Sequence, residues 1–161
     1  MSAPLKVALL VFDFDGVLTD NRVLVMEDGT EAVFCSRADG LAFDALRRHG
    51  LPALILSTET NRVVQARATK LRVEALQAVR DKATALREFC AARKIALAEV
   101  AFVGNDLNDL PVMRIVGHPV AVADAHPAVT QVARHVLKTS GGQGVAREIV
   151  EQLLQLPMGY E

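Results

Sequence analysis

The chain has 161 residues, 51% of them hydrophobic and 23% charged, with a formal net charge of -1. That length and balance fit a single globular domain over residues 1–161, built on one core. No second catalytic domain is expected, and no basic field is offered for a nucleic acid.

In chain order, residues 7–12 are the first short apolar run, ending in "VFDFDGVLTD", residues 11–20. Residues 22–36, "RVLVMEDGTEAVFCS", read as two strands joined around Asp28-Gly29, a pair that supplies the backbone angles of a tight hairpin turn. Helical spacing then covers residues 40–49, 62–71, 81–94 and 109–116, alternating with apolar runs at 52–56, 75–78, 100–103 and 119–122, and residues 146–156 close the chain as a helix. Runs that are apolar on both faces, alternating with amphipathic stretches, predict a three-layer α/β fold. Its Rossmann-like parallel sheet would carry helices on both faces and a protruding β-hairpin.

Phe12, Phe14, Phe43, Phe89 and Phe102 are core candidates, and "TSGGQGVARE", residues 139–148, reads as a flexible loop leading into a helix. His49, His118, His126 and His135 show no ligand spacing and read as surface or loop residues, with His126-Pro127 opening a helix. Cys35 and Cys90 form no CxxC pair, so neither a disulfide framework nor a zinc site is expected. Residues 7–12 are too short to span a bilayer, and Asp13 follows where a leader would place small residues; a cytoplasmic protein without a membrane partner is expected.

Asp13 and Asp15 point to the same side of a strand end, where an open α/β sheet binds its ligands. Two like charges roughly 5 Å apart cost on the order of 3 kcal/mol at an effective dielectric of about 20. Such a site either protonates one carboxylate or binds a cation, and hard oxygen ligands favour Mg²⁺. "VAFVGNDLND", residues 100–109, brings Asn105 and Asp106 to the same edge, with Asp109 readable as the N-cap of the next helix. "ALILSTET", residues 53–60, delivers Ser57 and Thr58, and Lys82 begins a helix, where a cation is mildly unfavourable. Carboxylates, a hydroxyl and a lysine at converging strand ends are the parts of a phosphoryl-transfer site.

With Asp13 to Val17 (DFDGV), Ser57, Lys82 and Gly104 to Asp106 (GND) in view, the chain resembles the haloacid dehalogenase superfamily of phosphatases. "DGVLTDNRV", "RADGLAFDALR", "GNDLNDLPVMRIVG", "VAVADAHP" and "GGQGVAREI" narrow the likeness to cap-less phosphatases of 2-keto-3-deoxy sugar acid phosphates, of the eight-carbon octulosonate or nine-carbon sialic-acid type. The resemblance implies Mg²⁺ held by Asp13, Asp15, Asn105 and Asp106. It also implies nucleophilic attack by Asp13 to give an aspartyl-phosphate, acid–base work by Asp15, and phosphoryl contacts from Ser57 and Lys82. Family members usually carry Asp at the position of Asn105, which removes one formal charge here. The alternative is a non-catalytic oligomerisation module related to the end domain of some acylneuraminate cytidylyltransferases.

No cap domain is visible, and the similar phosphatases cover their sites as homotetramers joined through their hairpins. Val23, Val25, Val33 and Phe34 would serve that contact. Thr58, Glu59, Arg67 and Lys70 are the substrate-binding candidates: Arg67 and Lys70 share a helix face, and an arginine grips a carboxylate well. The nine-carbon-type relatives resemble this chain in having a Glu followed by Arg and Lys.

Overall fold

The computed structural model describes residues 3–159. In chain order it contains β1 (Leu9–Phe12), β2 (Thr19–Val25), β3 (Glu31–Cys35), α1 (Arg37–Arg48), β4 (Ala53–Leu56), α2 (Val63–Leu71) and β5 (Glu74–Leu76). These are followed by α3 (Lys82–Arg93), β6 (Val100–Gly104), α4 (Leu110–Met113), β7 (His118–Ala121), α5 (Pro127–Val132), β8 (His135–Val136) and α6 (Val145–Glu148), which continues through wider turns at Ile149–Leu153. Six strands form one parallel sheet in the order β5-β4-β1-β6-β7-β8, while β2 and β3 pair antiparallel outside it.

Strand side chains alternate between two cores. Leu10, Phe12, Ile55, Ala101 and Val103 face one cluster with residues of α1, α2 and α6; Leu9, Val11, Leu54, Leu56 and Phe102 face a second with residues of α3, α4 and α5. A strand buried on both sides has no polar face to show, which explains the unbroken apolar runs. The chain leaves β1 toward β4 and β5, then returns to build β6, β7 and β8 on the other side. The reversal lies between β1 and β6, and that switch point is where such a sheet binds its ligand.

Four features depart from the expectations. Met26 N–H closes the hairpin on Thr30 C=O at 2.8 Å, so its loop is longer than a two-residue Asp28-Gly29 turn. The stretch expected as one helix over residues 109–116 is a 3₁₀ turn, Leu107–Asp109, followed by the short α4. His118 and His135 lie in β7 and β8, the latter too short to show a period. Residues 139–144 are no flexible loop, because Gly141 and Gly142 are buried and Gly142 N–H donates to Val17 C=O at 2.9 Å. Gly142 has φ +72, and a Cβ there would stand 2.4 Å from the Asp20 nitrogen, so only glycine permits this contact.

Candidate active site

Asp13 follows β1 directly, and its backbone N–H still pairs with Val103 C=O of β6 at 2.9 Å. Its side chain is therefore fixed at the switch point. Oδ1 accepts from Phe14 N–H at 2.7 Å and from Lys82 Nζ at 2.7 Å. Lys82, the first residue of α3, donates equally to Asp109 Oδ1 at 2.7 Å, and all three side chains are buried. Burial works against the Lys82 charge, yet Asp13 and Asp109 together hold its pKa above the ordinary value. Asp109 Oδ2 accepts from Asn105 N–H at 2.9 Å, so one carboxylate sets both the lysine and the turn after β6. Asp109 stands at the N-cap position of α4, but its side chain makes no capping bond there.

Burial pushes Asp13 up to about 7, against the pull of Lys82 and with the Asp109 charge adding to the rise. Its second oxygen, Oδ2, meets Asn105. One terminal atom of that amide lies 3.1 Å from Asp13 Oδ2 and 3.0 Å from the Asp15 backbone carbonyl. With nitrogen inward the amide donates to both; with oxygen inward three oxygens converge without a proton, an arrangement that a hard cation resolves. Gly16 makes the approach possible, since a Cβ there would sit 2.0 Å from the Asn105 amide nitrogen and its φ is +78. A carboxylate, a backbone carbonyl and an amide oxygen fit Mg²⁺ with waters completing the shell.

The structure separates the four residues expected of this shell. Asp106 is exposed and its Oδ1 accepts from Leu107 N–H at 2.7 Å, capping the 3₁₀ turn. Asp15 offers its carbonyl to that point, while its carboxylate serves elsewhere. Among the described residues no three His, Cys, Asp or Glu side chains gather as a metal cluster.

The Asp15 carboxylate accepts from Thr19 Oγ1 at 3.3 Å, and Thr19 Oγ1 accepts from Gly16 N–H at 3.1 Å, which pins the loop after β1. Burial raises the Asp15 pKa, with Glu59 next among the causes and Glu31 adding to it. Asp15, Arg22, Glu31 and Glu59 line a cavity of about 240 Å³ between the hairpin and the end of β4. A larger hollow of about 750 Å³ lies beside Leu41, Arg147 and Met158, and none of its lining residues belongs to this site.

Ser57 is buried at the end of β4, beside β1, and its Oγ accepts from Glu59 N–H at 3.1 Å, leaving the hydroxyl hydrogen to donate. Thr58 is exposed next to it. Arg67 is not directed at this cavity: its Nη2 donates to Ser36 C=O at 2.7 Å, tying α2 to the end of the hairpin. Lys70 stands exposed one turn on, and neither residue lines the cavity of this protomer. Helical spacing places the two on one face of α2 but cannot show that Ser36 C=O takes the Arg67 guanidinium. Thr19, Glu31 and Asn61 carry no signal of their own in the sequence, and Asp109 shows there only as the residue before a helix; its hold on Lys82 depends on α3 meeting the turn after β6.

A profile of the haloacid dehalogenase-like hydrolases matches residues 55–149. The chain is 34% identical to the 3-deoxy-D-manno-octulosonate 8-phosphate phosphatase of Yersinia pestis over 92% of its own length and 80% of that protein's. A solved HAD family hydrolase from Streptomyces avermitilis superposes with a TM-score of 0.92 at 47% identity, covering 96% of this chain and 89% of that one. The 3-deoxy-D-manno-octulosonate 8-phosphate phosphatase of Moraxella catarrhalis, solved with magnesium, phosphate and KDO, superposes with a TM-score of 0.88 at 30% identity over 92% of this chain and 86% of that one. The chain therefore belongs to the haloacid dehalogenase-like hydrolases and is a phosphoric monoester hydrolase related to the 3-deoxy-D-manno-octulosonate 8-phosphate phosphatases.

Proposed function

We propose that the protein is a Mg²⁺-dependent phosphatase of 2-keto-3-deoxy sugar acid phosphates of the eight- or nine-carbon class, working through an aspartyl-phosphate on Asp13. The observation that carries this reading is the pairing of Asp13 Oδ1 with buried Lys82 while Oδ2 faces the Asn105 amide and the Asp15 carbonyl. Asp13, the Asp15 carbonyl and Asn105 would hold the cation. When bound, Mg²⁺ neutralises charge on the phosphoryl group and keeps Asp13 ionised.

Asp13 attacks phosphorus, a carboxylate–phosphorus bond forms, and the bond from phosphorus to the sugar oxygen breaks. Asp15, whose hold on a proton burial strengthens, gives one to the departing alkoxide. It then takes a proton from the water that attacks phosphorus and releases Asp13. Ser57 and Lys82 donate to the phosphoryl oxygens throughout.

The sugar lies in the cavity toward Glu59, which accepts from its hydroxyls. Thr58, exposed beside Ser57, adds a hydroxyl from the same subunit, while Arg67 and Lys70 act on the sugar acid from a neighbouring copy. The hairpin supports such an assembly: Val23, Leu24, Val25, Met26 and Phe34 are all more than half exposed, Phe34 at 67%. Apolar side chains gathered on one projection mark an interaction surface, here for a homotetramer that also shields each site from water.

Phosphate release measured with Mg²⁺ over a panel of sugar acid phosphates and common phosphate esters tests the reading, with Asp13→Asn as control. Preference for an eight- or nine-carbon sugar acid phosphate is expected. Equal turnover of unrelated esters, or none above the control, contradicts it.

A further inference from the structure

The hairpin does more than project. Glu31, at the start of β3, accepts through Oε2 from Asn61 Nδ2 at 3.0 Å. Asn61 in turn donates its backbone N–H to Glu59 Oε1 at 2.8 Å, and Thr60 N–H reaches the same oxygen at 2.7 Å. Glu59 N–H donates to Ser57 Oγ at 3.1 Å. A continuous strap thus runs from the hairpin through Asn61 and Glu59 to the phosphoryl-binding serine.

Two features separate this strap from ordinary loop bonding. Glu31 and Glu59 both line the cavity that Asp15 lines, an arrangement of like charges that Coulomb's law disfavours unless something holds it. Asn61 holds it: one residue gives its amide to Glu31 and its backbone N–H to Glu59, while its own Oδ1 caps Val63 N–H at 3.0 Å. Glu59 Oε1 is saturated by two backbone donors, and Oε2 takes no hydrogen bond among the described residues. A fixed carboxylate with one open oxygen beside the leaving-group side is a preorganised acceptor for a hydroxyl, and a site built for a hydroxyl discriminates strongly against esters that lack it.

We propose that Glu31 is a specificity-determining positioning residue, which through Asn61 holds Glu59 open toward the hydroxyls of the sugar, so that the hairpin helps to choose the substrate. The proposal rests on the phosphatase reading above and names the control over its substrate end. Because the strap acts on the sugar end of the substrate, its loss raises KM for polyol phosphates far more than for an ester without hydroxyls.

The donor–acceptor polarity of the strap can be reversed. Asn61→Asp keeps the cap on Val63 N–H but sets an acceptor against Glu31; Glu31→Gln alone keeps an acceptor for Asn61; the two together restore one donor and one acceptor. On the polyol phosphate that the wild type hydrolyses best, Asn61→Asp should raise KM about tenfold, with the double variant back within about threefold of wild type. The KM for p-nitrophenyl phosphate, which brings no hydroxyls, should rise far less. Thermal melts establish that each variant is folded, and Glu31→Ala replaces Asn61→Asp if the latter is not. An unchanged KM, a double variant no better than Asn61→Asp, or an equal rise for both substrates overturns the proposal. Failure of the wild type on every sugar acid phosphate counts against the substrate reading alone, because the KM comparison still runs on any other polyol phosphate.

Discussion

Lys82 donates through Nζ to Asp109 Oδ1 at 2.7 Å, and neither side chain reaches solvent. A buried lysine between two carboxylates depends on both, and removing one leaves the other geometry unsupported. Asp109→Ala should cost about 3–5 kcal/mol in chemical denaturation, the usual penalty for breaking a buried ion pair. Asp109→Asn keeps an acceptor for Asn105 N–H but withdraws charge from Lys82; it should cost less than the alanine variant, about 1.5–3 kcal/mol, and lower kcat more than tenfold. A comparison of kcat and denaturation midpoint for the two variants checks this.

On the proposed function, Asn105 would offer the cation a neutral ligand where a carboxylate would offer a charged one. Asn105→Asp should bind Mg²⁺ about tenfold more tightly in a calorimetric titration, since ligand charge sets affinity at such sites. Without metal the same variant should melt below wild type, because the new carboxylate faces Asp13 Oδ2 at the 3.1 Å position that the amide now occupies.

Gly142 braces the loop that carries Asp15. A methyl group there meets the Asp20 nitrogen at 2.4 Å and the Thr19 carbonyl carbon at 2.6 Å, on a residue with φ +72. Gly142→Ala should destabilise the fold by about 2–4 kcal/mol, combining backbone strain with overpacking. It should also lower kcat, since Thr19, which holds Asp15, is displaced first. Denaturation curves and steady-state kinetics read the two effects separately.

Asp39 is a buried carboxylate outside the site. Its Oδ1 accepts from Ala146 N–H at 2.9 Å, capping α6 from across the fold, and Oδ2 has no partner. Burial raises its pKa from 3.8 to about 6, against the pull of the Ala146 N–H and Arg67. The native state therefore holds this proton more tightly than the unfolded chain. Its contribution to stability is full below pH 3.8 and is lost as pH rises through about 6, on the order of 3 kcal/mol in all. Asp39→Asn should gain about 1–3 kcal/mol over wild type at pH 7.5 and lose that advantage near pH 4, as urea titrations at the two pH values would show.

The sheet and its helices were legible because doubly buried strands and amphipathic helices leave unlike periods, and Asp13, Asp15, Ser57 and Lys82 because the topology brings strand ends together. Other parts follow from packing alone. Gly141 and Gly142 read as a flexible loop because nothing local records that they rest on the loop after Gly16. Asp106 and Asp109 look alike in sequence; the turn after β6 sends the first to solvent and the second inward. Arg67 lies on the predicted helix face, yet only the fold reveals that Ser36 C=O takes its guanidinium.

Acid-quenched single turnovers of the Mg²⁺-loaded protein, followed by peptide mass spectrometry, test the central claim most directly. A phosphoryl adduct on the peptide containing Asp13, absent from Asp13→Asn, is the predicted result. A phosphoryl group found on another residue, or turnover retained by Asp13→Asn, would contradict it.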